Sequence, residues 1–329
     1  MRAWQVVRHG EPAEALALNE VAPPEPGPGL LRVRVAAAAL GFPDLSLCRG
    51  SYALTPALPF TPGQELCGVV TAAGPGAQAP LGSRVMAVSG FFLGHGSFAE
   101  EALALDDFCF PVPDDLADAE AAGFCIPFHT AWVALVRRAA LRSGETLLVL
   151  GASGGSGSAA VQLGRALGAR VVAVAGGAGK AEFCRGLGAD VVVDHRSEDV
   201  AERVRAVTEG RGADVVFDAV GGDAFDAATR CIAHEGRLLL VGFASGDWGR
   251  PAPAHMVTHN YAVLGVVPSG YDRAFRREAQ RELLAHRERG ALRVPVDRVL
   301  SFDALPEGLT ALARGRARGK WVLSGGSGG

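Results

Sequence analysis

Residues 149–164 read VLGASGGSGSAAVQLG. A short apolar run meets a turn crowded with glycine and serine, then passes into a helical pattern. Glycine at that density would weaken a helix or strand interior by roughly 0.5–1 kcal/mol per residue relative to alanine, so the turn needs a reason. Its surroundings supply one. From Pro127 onward, apolar runs alternate with helical segments: TLLVLG (146–151), RVVAVA (170–175), DVVVD (190–194), DVVFDAV (214–220), RLLLVG (237–242) and AVLGVV (262–267). The intervening helices are expected to reach Leu167, to span Lys180 to Leu187, and to reach Thr208 and Ala233. Strands apolar on both faces and joined by helices predict a parallel sheet covered on both sides. The fold expected here is α/β, a doubly wound Rossmann sheet.

The glycine turn sits at the first strand-to-helix junction of that series, where a dinucleotide site needs it. Gly154 and Gly155 would let the backbone approach a pyrophosphate, with Ser156 in the turn. Gly157 would let the helix pack close to the sheet, its N-terminus facing the negative charge. NAD-selective sites place an acid at the end of the second strand to bind the ribose hydroxyls. Here that strand ends VVAVAGGAGK (171–180), with Ala175 and Gly176 at the acidic position. Lys180 follows a few residues on, and His195–Arg196 follow the third strand on the same edge. The three together predict NADPH.

The rest of the chain bounds this reading. Its 329 residues favour two domains over one core. The net charge of −3 gives no reason to expect nucleic acid or an anionic membrane as a partner. No apolar stretch is long enough to span a bilayer, and MRAWQVVRHGEPAEAL at the N-terminus lacks the pattern of a signal peptide. Cys48, Cys67, Cys109, Cys125, Cys184 and Cys231 are scattered without a CxxC pair, which suits reduced thiols in a cytoplasmic protein. Before Pro127 the texture differs. WQVV (4–7), LLRVRVAAAAL (30–40), CGVVTAAG (67–74) and RVMAVSG (84–90) are separated by turn clusters such as PPEPGPG, the mark of a compact strand-rich domain. An amphipathic stretch, DRAFRREAQRELLAHRERG (272–290), and a last strand, GKWVLS (319–324), follow the sheet. The tail 324–329 has the composition of a flexible linker.

The string AALGFPDLSLCRGSYALTPALPFTPGQELCGVV (38–70) resembles the N-terminal signature of the zinc-independent quinone oxidoreductases, in the medium-chain dehydrogenase/reductase superfamily. The resemblance continues through 144–169, LGADVVVDHRSED (187–199), GADVVFDAVGGDAF (212–225), EGRLLLVGFASG (235–246) and ARGKWVL (317–323), nearly the whole chain in order. It implies a GroES-like strand-rich catalytic domain at 1–122, completed by 268–323, and a Rossmann NADPH-binding domain at 123–267. It also implies an active site in the cleft between the two, and a homodimer joined near 262–267.

Zinc-dependent members of the superfamily bind catalytic zinc through a Cys and the His of a GHE triplet, among other ligands. Here the triplet reads Gly63-Gln64-Glu65, and Gly41 stands at the Cys position. Cys125 falls one residue out of register with the third ligand, and 88–113 holds only Cys109 where a structural-zinc loop would have four cysteines. A catalytic zinc wants about three protein ligands, so a metal-free enzyme is expected. His255 and His259 have i,i+4 spacing but no Glu between them and no third ligand nearby, which fits packing histidines.

Without a Lewis acid, reduction relies on placing the acceptor and stabilising charge by hydrogen bonds. Hydride addition to a quinone or other conjugated enone suits this, because the negative charge spreads onto oxygen. Tyr52 matches the family's active-site tyrosine. A phenol with a pKa of about 10 stays protonated at neutral pH and can donate. By the same matching, Thr130, Val220, Gly221, Gly242, Phe243 and Ala244 would pass the ribose and nicotinamide, while Asn260 and Lys320 would lie cofactor-side, near the adenosine phosphate and the C-terminal strand. Gly41, Phe42, Asp44, Gln64 and His129 would line the substrate pocket. Gly41 replaces the family's Asn, and VPSGY (267–271) replaces its aromatic segment, so the acceptor cannot be copied from a relative. The rival readings are an enoyl-thioester reductase and an NADPH-binding sensor or structural protein with little turnover.

Overall fold

The computed structural model describes residues 1–326; of the expected flexible tail, 327–329 lie outside the described residues. The chain divides into two compact units, Met1–Ile126 with Val294–Gly329, and Pro127–Arg293.

The first unit opens with β1 (Arg2–Val6) and β2 (Leu16–Glu20), an antiparallel ribbon. Then come β3 (Leu30–Ala39), β4 (Glu65–Ala73), β5 (Arg84–Ser89) and β6 (Glu101–Pro111). The first half of β3 alternates as a half-buried strand should, with Leu31, Val33 and Val35 inward and the arginines between them outward. β3 pairs antiparallel with both β4 and β6, so β3 to β6 close on themselves around a core that includes Phe60, Leu66 and Phe98. Two of these strands, β2 and β6, escape a reading by apolar runs: β2 has one buried residue in five, and Asp106–Asp107 interrupt β6.

The second unit is built on β7 (Thr146–Leu150), β8 (Arg170–Ala175), β9 (Val191–Asp194), β10 (Ala213–Asp218), β11 (Ile232–Leu240) and β12 (Ala262–Gly265). All pairings are parallel, in the order β12-β11-β10-β7-β8-β9. This is the doubly wound sheet expected, and the strand order reverses at β7, the switch point where ligands bind in such sheets. Every residue of β7 is buried. Two acids set strand starts by the same device. Asp190, just ahead of β9, accepts the N–H of Val171 at 2.8 Å, and Asp214 in β10 accepts that of Thr146 at 2.7 Å.

The helix before β11 ends at Thr229, short of the expected Ala233, because Ile232 already pairs with Ala213. The amphipathic stretch forms helix Arg273–Glu288 and falls in the second unit rather than with the strand-rich one. Its Ala279 and Leu283 are fully buried. The chain then returns to the first unit with β13 (Val296–Leu300) and β14 (Lys320–Ser324), the latter antiparallel to β3. Among the described residues no helix is long and apolar enough to cross a membrane. All six cysteines are free thiols.

Candidate functional site

In the second unit the glycine turn joins β7 to helix Gly155–Ala166. Gly154 is the N-cap, and no side chain caps the helix, leaving its first amides for a ligand. A Cβ on Gly157 would lie 2.2 Å from the Gly151 carbonyl oxygen, so only glycine lets the helix start this close to the turn.

At the end of β8 the structure gathers the predicted cations. A Cβ on Gly176 would sit 2.7 Å from His195 Nε2 and 2.8 Å from Arg196 Nε, so these two side chains lie over the bare glycine. Lys180 is half-buried in helix Ala178–Gly186; burial, and then the nearby Arg196 charge, hold its ammonium below the usual lysine range. Among the described residues neither Lys180 nor Arg196 forms an ion pair with a carboxylate. Two cations without a bonded carboxylate and an imidazole lie close together at this strand end, an arrangement whose charge suits a phosphate dianion.

Sequence reasoning missed Asp194, which closes β9. Its Oδ1 accepts the backbone N–H groups of both Gly177 (3.0 Å) and Arg196 (3.1 Å). These bonds hold its carboxyl below the ordinary aspartate range. The only signal was its place directly before His195–Arg196.

The turns after β10 and β11 lie side by side. Ser245 N donates to Val220 O at 2.9 Å, Ala244 N to Ala219 O at 3.2 Å, and Gly242 N to Asp218 O at 3.2 Å. Asp218 Oδ1 accepts from Val220 N (2.8 Å) and Gly221 N (2.9 Å), while Oδ2 is buried with no hydrogen-bond partner among the described residues. Burial pushes this carboxyl up. The Phe243 ring packs on Trp248 at 4.6 Å. The structure therefore brings Val220, Gly221, Gly242, Phe243 and Ala244 together.

His129 and Asn260 are each held by a side-chain partner. His129, expected to line the pocket, is buried in helix Cys125–Trp132 and hydrogen-bonded to Gln280 at 2.9 Å. Burial holds it down to about 4, so it is neutral at pH 7. Thr130 beside it is buried too. Asn260 takes a left-handed backbone as the cap of helix Pro253–His259 and bonds to His234 at 3.1 Å, the role of a helix stop. His255 and His259 stack at 4.0 Å, as packing histidines do.

In the first unit, Asp44 joins two segments. Its oxygens accept from Gly41 N (2.8 Å), at the start of helix Phe42–Cys48, and from Gly63 N (3.2 Å). Complete burial pushes its carboxyl up to about 7. Asp44 is thus a buried strut rather than a pocket wall. Gln64 next to Gly63 is buried, and its Nε2 has no hydrogen-bond partner among the described residues. Phe42 and Tyr52 are half-buried against the same core, with the Tyr52 ring 6.1 Å from Phe91.

Lys320, expected beside the cofactor, is instead buried in β14. Its Nζ donates to Glu65 Oε1 at 2.6 Å and to Leu40 O at 2.9 Å, while Glu65 Oε2 accepts the N–H of Ile126 at 2.9 Å. A buried ammonium must be paired, and the pairing leaves no charge for a phosphate. These residues do not fit a zinc ion. Gly41 offers no ligand atom, position 64 carries an amide, both Asp44 oxygens hold backbone amides, and burial pushes the Cys125 thiol well up. Among the described residues no cluster of three or more His, Cys, Asp or Glu is arranged to hold a metal ion.

Comparison with known proteins agrees with this architecture. Residues 27–114 match the alcohol dehydrogenase GroES-like domain, and 155–285 match the family described as zinc-binding dehydrogenase. A quinone oxidoreductase-like protein 2 homolog of Nematostella vectensis is 31% identical over 307 residues, covering 91% of this chain and 82% of its own. A phenolphthiocerol/phthiocerol polyketide synthase component of Mycobacterium tuberculosis is 33% identical over 94% of this chain, which spans only 14% of that much longer protein. The crystal structure of Escherichia coli quinone oxidoreductase complexed with NADPH superposes with a TM-score of 0.91 at 26% identity, covering 98% of this chain and 100% of that one. The chain belongs to the zinc-independent quinone oxidoreductase family of the medium-chain dehydrogenase/reductase superfamily.

Proposed function

We propose that this protein is an NADPH-dependent reductase that passes hydride to a quinone or another conjugated enone without a metal ion. The observation that carries the reading is the gathering of His195 and Arg196 over Gly176, with Lys180 close enough to feel the Arg196 charge, at a strand end with no acid in the place that would bind ribose hydroxyls. NADPH, when bound, supplies the hydride. Gly154 to Gly157 would hold its pyrophosphate, the cationic cluster its 2′-phosphate, and the paired turns at Val220–Gly221 and Gly242–Ala244 its ribose and nicotinamide.

Hydride adds to the electrophilic carbon of the conjugated system, and the displaced π-electron pair moves to oxygen. Tyr52 serves at that oxygen as donor or as clamp, and the proton that completes the hydroquinone or enol comes from this phenol or from water. Phe42 and Gln64 stand on the acceptor side, the buried Gln64 amide supplying a donor. A steady-state screen of quinones and enones with NADPH and NADH in parallel tests the reading. NADPH-preferred turnover is expected; a strong NADH preference, or stoichiometric zinc in active protein, refutes it. Tight NADPH binding without turnover of any acceptor would instead make the chain a sensor or structural protein.

The likeness to a polyketide synthase component favours one second reading, reduction of an enoyl-thioester. Tyr52→Phe separates the two. A sharp fall in turnover on enoyl-thioesters supports this second reading, and little change supports hydride transfer to a quinone. We also propose a homodimer. β12 is a sheet edge with Val263 and Leu264 half-buried and Val267 60% exposed beyond it, a surface that a second copy would cover. Light scattering that gives a monomer mass would reject it.

A further inference from the structure

We propose that Asp194 is the positioning residue that builds the discrimination between a phosphorylated and an unphosphorylated adenosine ribose. This rests on the NADPH reading above and adds the group that shapes the phosphate receptor.

Asp194 stands where two segments leave the sheet. Its Cα pairs with Ala175, the last residue of β8. Beyond that pair the ladder continues only through a long bond, His195 N to Ala175 O at 3.3 Å. One carboxylate oxygen then ties both segments, accepting from Gly177 N and from Arg196 N. Asp194 is itself fixed by Glu198, whose Oε2 accepts the Asp194 N–H at 2.9 Å. Gly177 has φ of 89°, a conformation glycine takes without strain but as one of many, and the bond to Asp194 selects it. The anchor places Gly176 beneath the His195 and Arg196 side chains.

The carboxylate takes backbone amides, and among the described residues it forms no ion pair with the Arg196 guanidinium or the Lys180 ammonium. The Asp194 charge acts on the His195 and Arg196 side chains only through space, so no direct ion pair has to break when a phosphate arrives. The charge and the anchoring of Asp194 act in opposite directions on that phosphate. Its negative charge repels the ligand, while its hydrogen bonds shape the receptor. Both bonds use the same oxygen, Oδ1, so asparagine preserves them and removes the charge.

The test measures dissociation constants for NADPH and NADH by nucleotide fluorescence on wild type, Asp194→Ala and Asp194→Asn, with a thermal melt of each. Asp194→Ala should weaken NADPH binding about tenfold, the order that two lost backbone bonds supply, and leave NADH within about twofold. Asp194→Asn should bind NADPH as tightly as wild type or more tightly. Equal tightening in both variants would mean that only charge matters, and overturns the proposal. So would unchanged NADPH binding in Asp194→Ala, or a shared loss of both nucleotides with a lowered melting temperature. Wild type that fails to prefer NADPH refutes the cofactor reading before any variant is compared, so the two failures are distinguishable.

Discussion

Lys320→Met tests the buried pair of the first unit. The Lys320 and Glu65 side chains are 6% and 2% exposed, and their charged atoms meet at 2.6 Å. Methionine fills much of the lysine stem but removes the ammonium, leaving the Glu65 carboxylate with the Ile126 N–H as its remaining partner. Removing one member of a buried ion pair costs about 3–5 kcal/mol, chiefly because the other charge stays buried and uncompensated. For a unit of this size each kcal/mol moves the melting temperature by about 2–4 °C, so the expected fall is on the order of 10 °C. Calorimetry on wild type, Lys320→Met and the double variant Lys320→Met/Glu65→Leu would measure it. The double variant should recover most of the loss, since it buries no lone charge. NADPH affinity should stay within about twofold in all three. A variant that melts like wild type but binds NADPH at least about tenfold more weakly would refute the reasoning and return Lys320 to the cofactor.

Three further outcomes are expected. Gly176→Asp places a carboxylate where the 2′-phosphate would sit and displaces only the flexible ends of His195 and Arg196; NADPH should bind about 10–100-fold more weakly while NADH gains, and unchanged selectivity by titration would contradict the receptor. Gly157→Ala drives a methyl into the Gly151 carbonyl. It should cost about 1–3 kcal/mol in a denaturant melt and abolish nucleotide binding. His129 is held down to about 4 in the fold, against an ordinary 6.5. The unfolded chain therefore takes up a proton first as pH falls, and the stability this group contributes, present above pH 6.5, is lost between there and 4. The loss is about 3 kcal/mol. Asp44, pushed up to about 7, acts oppositely in that window, so the readout is a difference. Stability of His129→Gln should fall less than that of wild type between pH 6.5 and 4, and parallel curves would refute the assignment.

The glycine turn, the alternating strands and helices, and the missing acid after RVVAVA were legible because each is a local requirement. A buried parallel strand needs a continuous apolar run, a close helix start needs glycine, and a phosphate site needs cations near a strand end. β2 and β6 were not legible, because their pairing partners, rather than their own apolar content, make them strands. The same division runs through the site. Sequence alone determined which residue types were available: a glycine-rich loop, Lys180, His195, Arg196, Tyr52, and no Cys or His at the zinc-binding positions. Tertiary structure decided which charges remain free. It spent Lys320 on Glu65, closed His129 against Gln280, turned Asp44 into a strut, and made Asp194 the shared anchor of two strand ends. Whether a charge is open to a ligand depends on what is packed within a few ångströms of it, and those neighbours come from distant parts of the chain.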